Sequence, residues 1–600
     1  MRFVWAVVAF LVAVGLIGTG VARLALASEP DTVTSPIAAA DAELPYTVID
    51  ADVLSAYPGQ QGVTITDDDD EIFVSYGRTS DITAWLSDTS YNHATLAEGR
   101  AENGEPRVSV DVVEPTNEYA DTGERVWWNP RDSDLWIEQL TADGSLQRDF
   151  ALPEGMSLLV AADGNAPAPS EVSVTWQTGE ITTPWAGPLI AAGCLALLIG
   201  LIFWILGFIH LRRRRGPRRK GSAPSGRGRR GSRGSARRAM WAIPTVTVAG
   251  ALLAGCTPSA WPDLSKDPTP TPTPSVSTAP DAEMPALTDA QAERIVASMA
   301  QVLGDADRET DIELGSKRLT GAAYDMRKTA YEIRGDVEDW KLPVALPEGP
   351  VSVLLPQAND GWPRTALMVV GDADEKNPTI LFASQQSPWE TYKISYMGSI
   401  VANTELPQLA PAWMGAVIVP PESSFLEVTP ADLSGTYADI VAHGEESEYA
   451  ELFDVEGDAF LTALNDKRKT TLDTFNESAT TDDEQTAEMT FDQRAVDGDP
   501  VALATFDSGA IVAVPFLDSE TLKPTVDDGV IKIPDAPEIE HFVGEEETKT
   551  GLTTYYRSQL FFYVPAKASE EKIRMLGFSY GLADATLIED DTDEQSDEEN

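Results

Sequence analysis

The chain has 600 residues, 42% of them hydrophobic, which is enough for three to five domains with apolar cores and excludes a mainly disordered protein. Its formal net charge is −52, yet 13 of its 44 basic residues lie between Arg212 and Arg238, where no acidic residue occurs. The basic run stands between two apolar segments, where Lys and Arg orient a chain by staying on the cytoplasmic side. This position argues against nucleic acid as its partner.

The chain has only two cysteines, and both are associated with apolar runs. Cys194 lies inside one run and Cys256 ends another. Neither of the two large polar regions can therefore contain an internal disulfide, and their stability has to come from packing alone.

The first apolar run, Phe3 to Val21, is long enough to cross a membrane and follows Arg2. Its end, Ala25–Ala27, also resembles a small-residue signal-peptidase site. Residues 1–27 are therefore predicted to be either an N-terminal transmembrane anchor or a signal peptide. Both alternatives place the chain from residue 28 onward outside the cytoplasm.

Residues 28–187 are predicted to form an extracytoplasmic all-β domain with a sandwich-like fold. Short apolar-alternating runs separated by turn residues carry this prediction, namely Ile72–Tyr76, Val108–Val112, Leu135–Ile137 and Val172–Trp176.

Two clusters in this region suggest a ligand, and both have a simpler interpretation. Trp127, Trp128 and Trp136 suit a carbohydrate-stacking platform, although tryptophans in such patterns are more often half-buried strand residues. Asp67–Asp70 resembles a calcium cluster but lacks the alternating Asp/Asn and Gly spacing of a known loop. A solvated turn is favoured for the aspartates.

A second membrane span is predicted at residues 188–209, running from outside to inside. Trp185 stands near its outer end and Arg212–Arg215 follow its inner end. Residues 210–239 then form a basic cytoplasmic loop.

Residues 240–256 form a third hydrophobic segment, whose end, Leu253–Cys256, resembles a bacterial lipobox. In that family of signals the cysteine receives a diacylglycerol and the peptide bond before it is cut. The resemblance implies lipidation of Cys256 and division of the chain into two pieces. An ordinary third span is the alternative, because such signals normally stand at a chain's own amino terminus. Both alternatives place everything after Cys256 outside.

Residues 257–284 form a Pro/Thr-rich tether, suited to span a cell wall. Two α+β domains are predicted after it, at 285–427 and 428–588, and residues 589–600 form an acidic disordered tail. Thr288 with Gln291 makes a helix-capping box, and Thr429 followed by Pro430 marks another helix start. Each helical stretch is followed by strand candidates, which begin near Val351 in the first half and near Glu488 in the second.

Two resemblances follow from these residues. The helix-then-sheet order and the stretch Gln385–Lys393 are similar to the nuclear-transport-factor-2-like fold, a cone that encloses a pocket. The lipobox, the tether, Trp362–Arg364 and Pro388–Trp389 resemble uncharacterised envelope lipoproteins of actinobacteria. This second resemblance implies a place in the envelope and brings no catalytic residues with it.

No catalytic, metal-binding or cofactor-binding residue is predicted. The four histidines stand far apart without metal-ligand spacing, and hydrolase elbows, phosphate loops and dinucleotide fingerprints are missing. The expected function is non-enzymatic: binding or scaffolding an envelope component outside the cytoplasmic membrane. A carrier or sensor of a small apolar ligand and a carboxylate-based wall hydrolase are the alternatives. The membrane and envelope proteins are the expected partners, and the sequence leaves the oligomeric state open.

Overall fold

The computed structural model describes most of the chain on both sides of a long central gap. The described residues are 2–26, 32–57, 59–100, 106–116, 128–177, 186–213, 286–359, 361–371, 378–478, 480–481, 484–496, 498–526, 529–533, 536–567 and 569–589. The third hydrophobic segment with Cys256, the tether and nearly all of the basic loop and acidic tail lie outside them and stay predictions. The chain divides into two compact units, Met1–Pro30 with Gly179–Ala282 and Asp31–Thr178 with Glu283–Asn600.

The first unit contains two apolar helices, α1 (Arg2–Leu26) and α4 (Ala186–Arg213). Their apolar windows, Val4–Ala22 and Gly187–Ile209, are long enough to cross a membrane. Only 17% and 11% of these windows are buried, unlike the core helix of a water-soluble domain.

Small residues at seven-residue spacing form the contact between these two helices. The buried positions are Ala6, Ala13 and Gly20 on α1 and Gly193, Gly200 and Gly207 on α4. A Cβ atom on Gly193 would lie 2.5 Å from Ile17 Cγ1, so the two backbones approach closely, as small residues permit in helix pairs.

Residues 32–177, the N-terminal β region, form one eight-stranded sheet, which confirms the all-β prediction. Its strands are β1 (Thr32–Ile37), β2 (Tyr46–Asp50), β3 (Gln61–Arg78), β4 (Tyr91–Arg100), β5 (Pro106–Val113), β6 (Glu138–Phe150), β7 (Met156–Ala161) and β8 (Glu171–Gln177). Two short helices, α2 (Ala51–Leu54) and α3 (Thr79–Trp85), follow β2 and β3 directly. The order is β1-β8-β3-β7-β2-β4-β5, and β6 pairs with β3.

The long strand β3 lets this sheet fold around an apolar core. Its first half pairs with β8 and its second half with β7, with a register shift against β6 between Thr66 and Glu71. Asp67–Asp70 lie within β3 at this shift, and not in the predicted turn. No group of three metal-ligating side chains occurs among the described residues.

The predicted strand Leu135–Ile137 is wrong, because these residues form a turn before β6. The backbone carbonyls of Leu135 and Trp136 accept hydrogen bonds from side chains of the C-terminal half of the chain. A tertiary contact has replaced the pairing that the local pattern predicted.

Residues 286–589, the C-terminal region, confirm the α+β class. The helices are α5 (Asp289–Glu309), α6 (Ile312–Gly315), α7 (Gly321–Asp336), α8 (Pro430–His443), α9 (Ala459–Ser478) and α10 (Pro537–Val543). The strands of the main sheet are β9 (Val351–Pro356), β10 (Arg364–Val370), β11 (Thr379–Gln385), β12 (Lys393–Ile400), β15 (Ala487–Ala495), β16 (Val501–Ala504), β17 (Ala510–Pro524), β20 (Leu552–Val564) and β21 (Arg574–Leu587). Two strand pairs, β13 (Thr480–Thr481) with β14 (Glu484–Gln485) and β18 (Ile531–Lys532) with β19 (Glu547–Thr548), lie outside it.

The strands of both predicted α+β halves join in one sheet, ordered β15-β17-β20-β21-β12-β11-β10-β9. The halves meet where β12 pairs with β21, with Ser399 opposite Phe578 and Ile400 opposite Gly577. The two predicted α+β halves therefore share one sheet. Three apolar clusters cover it: one under α5 and α7, one under α8 and α9, and one on the opposite face.

Candidate functional site: a docking interface and two open surfaces

The C-terminal region contacts helix α3 and the segment before β6 of the N-terminal β region, and we call this contact the docking interface. The apolar cluster there contains buried Trp85 and Trp136 together with half-buried Trp362 and Trp389. The Trp389 indole N–H donates to the carbonyl of Trp85 over 2.8 Å, and its ring stacks on Trp128 at 6.0 Å. The interface therefore combines large aromatic surfaces with directional hydrogen bonds.

A buried ion pair joins the turn before β6 to the C-terminal region. The Asp134 carboxylate accepts two hydrogen bonds from Arg318, from Nη1 to Oδ2 at 2.6 Å and from Nη2 to Oδ1 at 3.2 Å. The backbone N–H of Tyr392 donates to the same carboxylate at 2.8 Å. Asp134 and Arg318 side chains are only 3% and 7% exposed, so the pair is desolvated and bidentate.

The backbone of this turn, like the Asp134 side chain, accepts hydrogen bonds from the C-terminal region. The Gln291 amide, at the start of α5, donates to the carbonyl of Leu135 over 2.7 Å. Arg294, one turn further along α5, donates to the carbonyls of Asp134 and Trp136. Burial lowers the pKa of Arg294, while the negative charge of Asp134 opposes that shift. Side chains of helix α5 thus donate hydrogen bonds to three backbone carbonyl oxygens of this turn.

A second buried charge cluster lies at the start of α3. Asp81 accepts hydrogen bonds from Arg78, at 2.9 and 3.0 Å, and from Arg364 of the C-terminal region at 2.7 Å. The Arg364 guanidinium also lies 3.8 Å from the ring centroid of Trp362. Asp81 and Arg364 are each 1% exposed, so this pair is also desolvated.

Residues singled out in the sequence for other reasons meet at this interface. Trp128 and Trp136, considered for sugar stacking, contact or surround the C-terminal tryptophans, so they do not form an open platform. Trp362–Arg364 and Pro388–Trp389 supply the C-terminal side. Trp127 lies outside the described residues. Sequence reasoning missed Asp81 and Asp134, because nothing distinguishes them from the other acidic residues until their arginine partners are known.

An open groove lies against strands β20 and β21 of the C-terminal sheet, next to α7 and α10, and we call it the tyrosine groove. It has a volume of about 310 Å³ and is lined by Met326, Ala330, Trp340, Lys341, Leu342, Pro343, Glu538, Ile539, Tyr556, Tyr580, Gly581 and Leu582. The rings of Tyr556 and Tyr580 stack at 5.2 Å with an angle of 11°. The groove therefore presents mainly aromatic and aliphatic carbon.

A cluster of charged side chains, which includes Lys467 and Arg468 of α9, lies beside these tyrosines. Lys467 Nζ lies 3.0 Å from the Tyr580 hydroxyl oxygen and 3.6 Å from the Tyr556 ring centroid, and it pairs with Glu520. The next residue, Arg468, pairs with fully buried Asp518. Burial raises the pKa of Asp518, and the charge of Arg468 only partly opposes this. Asp518 Oδ2 and Arg468 Nε have no hydrogen-bond partner among the described residues.

A third feature, the apolar patch, consists of Trp413, Met414, Val417 and Phe506, which are between 44% and 68% exposed. Backbone hydrogen bonds bring its two segments together, from Ala504 N–H to the Val417 carbonyl at 2.9 Å and from Phe506 N–H to the Gln408 carbonyl at 2.8 Å. Large apolar side chains exposed on adjoining segments are typical of interaction surfaces.

The histidines are not brought together within the described part of the chain. His93 contacts Asp50, His443 contacts Asp439 and His541 contacts Asp336, in separate parts of the fold. His210 lies in α4. The predicted lipidation residue, Cys256, lies outside the described residues.

The architecture defines a class of protein with two membrane-length helices, an all-β region and an α+β region docked to it. The sequence profile of the domain of unknown function DUF8094 matches residues 283–586, and the chain belongs to this family. The match covers the C-terminal sheet except Leu587, the last residue of β21. No curated protein and no solved structure matches the chain.

Proposed function

We propose that this protein is a non-enzymatic scaffold of the bacterial cell envelope, held in the cytoplasmic membrane by its apolar helices and exposing both folded regions outside. Two membrane-length helices and the arginines that follow α4 support the anchoring and its direction. Processing at Cys256 with attachment of a diacylglycerol belongs to the same proposal.

The docking interface supports this topology. Asp31–Thr178 and Glu283–Asn600 form one compact unit, which supports placing both on the same side of the membrane. Helix α4 would carry the chain across once between them, and a second crossing must bring it back. The apolar residues 240–255, followed by Cys256, are the segment suited to that return.

Labelling of single added cysteines tests the topology. In intact cells, we expect a membrane-impermeant maleimide to label Thr34→Cys and Ser569→Cys, which are exposed positions in the two regions. Ser222→Cys, in the basic loop, should react only after the membrane is opened. Labelling of Ser222→Cys in intact cells would contradict the proposed orientation, and the unmodified chain controls for its own two cysteines.

The observation that carries the scaffold function is the apolar patch. Trp413, Val417 and Phe506 expose large apolar side chains on segments that backbone hydrogen bonds join, in a protein that is strongly acidic. Because acidic surfaces repel anionic membrane lipids, the occupant that fits is another envelope protein with a complementary apolar surface.

Site-specific photo-crosslinking in cells tests this surface. A photoreactive residue at position 417 should capture a partner protein in the wild-type background, and Trp413→Ser with Phe506→Ser should reduce the adduct at least tenfold. The control is the same probe with Val344→Ser, since Val344 is 50% exposed elsewhere. Absence of any partner adduct at position 417 would remove the support for the scaffold.

The tyrosine groove favours one second function, a carrier or sensor of a small apolar ligand. Trp340, Tyr556 and Tyr580 provide flat carbon surfaces of the kind that hold such molecules. Native mass spectrometry of the detergent-extracted chain should then find a bound small molecule that Trp340→Ala loses. The hydrolase alternative receives less support, since the adjacent carboxylates Asp518 and Glu520 are each paired with a cation.

A further inference from the structure

We propose that the docking interface is an interface between two polypeptides: after cleavage before Cys256, the N-terminal piece stays bound to the C-terminal lipoprotein and serves as its membrane receptor. The cleavage step rests on the function proposed above, whereas the interface rests on the contacts of the described residues.

The connection between the two regions is not needed for their contact. Every hydrogen bond and ring contact of the docking interface joins residues of 32–177 to residues of 286–589. None of these residues belongs to the connecting chain, residues 179–282. Cutting it would remove none of the contacts that hold Asp134 to Arg318 or Asp81 to Arg364.

The interface has the composition of a stable contact between separate chains. Trp85 and half-buried Trp389 are aromatic side chains that meet across it, and the carboxylates of Asp81 and Asp134 are buried. Separation would return each carboxylate to water without Arg318 or Arg364 and expose tryptophan surface. Each region therefore has a surface whose charged groups and tryptophans are shielded from water only by contact with the other region.

The two processing steps consume only a phospholipid and a water molecule, both of which are present at a membrane. The Cys256 thiol takes a diacylglycerol from a phospholipid, forming a thioether while the phosphorylated head group leaves with the proton. Water then hydrolyses the peptide bond before Cys256, leaving a carboxylate on Gly255 and a free amine on Cys256. The Pro/Thr-rich tether would link the lipid to α5, which begins at Asp289.

A cleavable version of the full chain tests the interface directly. A site for a sequence-specific protease replaces residues 276–280 in the tether, and the chain is cut in isolated membranes. After extraction in mild detergent, the C-terminal piece is captured by a tag at its end. We expect the N-terminal piece to be recovered with it at a 1:1 ratio, and separation of the wild-type pieces would overturn the proposal.

Variants at the buried pair make the test specific. Arg318→Met leaves Asp134 buried and unpaired, so recovery of the N-terminal piece after cutting should fall at least tenfold. Adding Asp134→Asn removes the stranded charge and keeps an oxygen for the Tyr392 N–H, so recovery should return. Arg308→Met breaks an exposed pair with Asp305 and should change nothing. If the double variant stays as weak as Arg318→Met, the pair does not hold the pieces together.

Mass spectrometry of the untreated protein separates the two proposals. A C-terminal fragment beginning with diacylated Cys256, recovered together with the N-terminal piece, supports both. An intact chain with a free Cys256 thiol ends the processing proposal and the receptor role, whatever the protease-cut chain shows. A lipidated fragment recovered without its N-terminal piece overturns the complex and leaves the processing in place.

Discussion

The docking interface and the charged cluster beside the tyrosine groove both bury arginine–carboxylate pairs, and one arginine Nε in each, Arg294 and Arg468, has no hydrogen-bond partner among the described residues. The two sites differ in how completely their carboxylate oxygens are bonded. In the interface, both oxygens of Asp134 and of Asp81 accept hydrogen bonds. In the cluster, Asp518 Oδ2 and Arg468 Nε have no partner among the described residues. A carboxylate with both oxygens bonded fixes one arrangement, whereas the unused oxygen of Asp518, next to an open groove, leaves capacity for a ligand or water.

The largest effect should come from breaking the better-bonded site. Arg318→Met leaves the Asp134 carboxylate buried without its cation, and we expect the free energy of unfolding to fall by about 3–5 kcal/mol. Chemical denaturation of the detergent-extracted full chain measures this. Arg308→Met, at an exposed pair, should change it by less than about 0.5 kcal/mol. Similar losses for both variants would show that the buried pair has no special role.

Arg364→Met should have a smaller effect, because Asp81 keeps Arg78 as a bidentate partner. A loss of about 2–3 kcal/mol is expected, from one charge-assisted hydrogen bond and the contact with Trp362. The same denaturation experiment ranks it against Arg318→Met. A loss equal to or above that of Arg318→Met would mean that Arg78 does not share the charge of Asp81.

The Asp518→Asn variant tests the carboxylate that has one unbonded oxygen. Because one oxygen of Asp518 has no described partner, an amide should be tolerated there better than at Asp134, with a loss of about 1–2 kcal/mol. The matched variant is Asp134→Asn, which should be clearly more damaging. Equal losses would show that the difference in hydrogen bonding does not affect stability.

The smallest effect is the pH dependence at Asp518. Burial raises the pKa of this carboxyl in the folded state, so the folded state holds its proton more tightly than the unfolded state. The wild type should therefore lose stability relative to Asp518→Asn as the pH rises above about 4, the ordinary aspartate value. Denaturation midpoints of both proteins between pH 4 and pH 7 measure the difference. A constant difference across this range would contradict the raised pKa.

Local features were predictable from the sequence because local contacts determine them. The capping box of Thr288 and Gln291 is formed, and Thr429 caps the helix that begins at Pro430. The helix-then-strand order of the C-terminal region follows from periodicity that matches burial. The joining of both halves through β12 and β21 was missed, since strand pairing between distant segments leaves no local pattern.

The docking interface was not predictable for the same reason. Arg318 lies 184 residues from Asp134, and Arg364 lies 283 residues from Asp81. Among 96 acidic residues, neither aspartate differs in pattern from a solvated one. The error at Leu135–Ile137 has the same origin, because Gln291 and Arg294 take up backbone groups that the local pattern assigned to a neighbouring strand.

The charges of the docking interface are divided unequally between its two sides. The N-terminal β region supplies both central carboxylates, Asp81 and Asp134, and the C-terminal region supplies Arg318 and Arg364. Loss or reversal of any of these four charges in one half harms the contact until the other half changes too. The halves must therefore be inherited as a matched set, and a gene that exchanged only one of them with a relative would encode a mismatched protein.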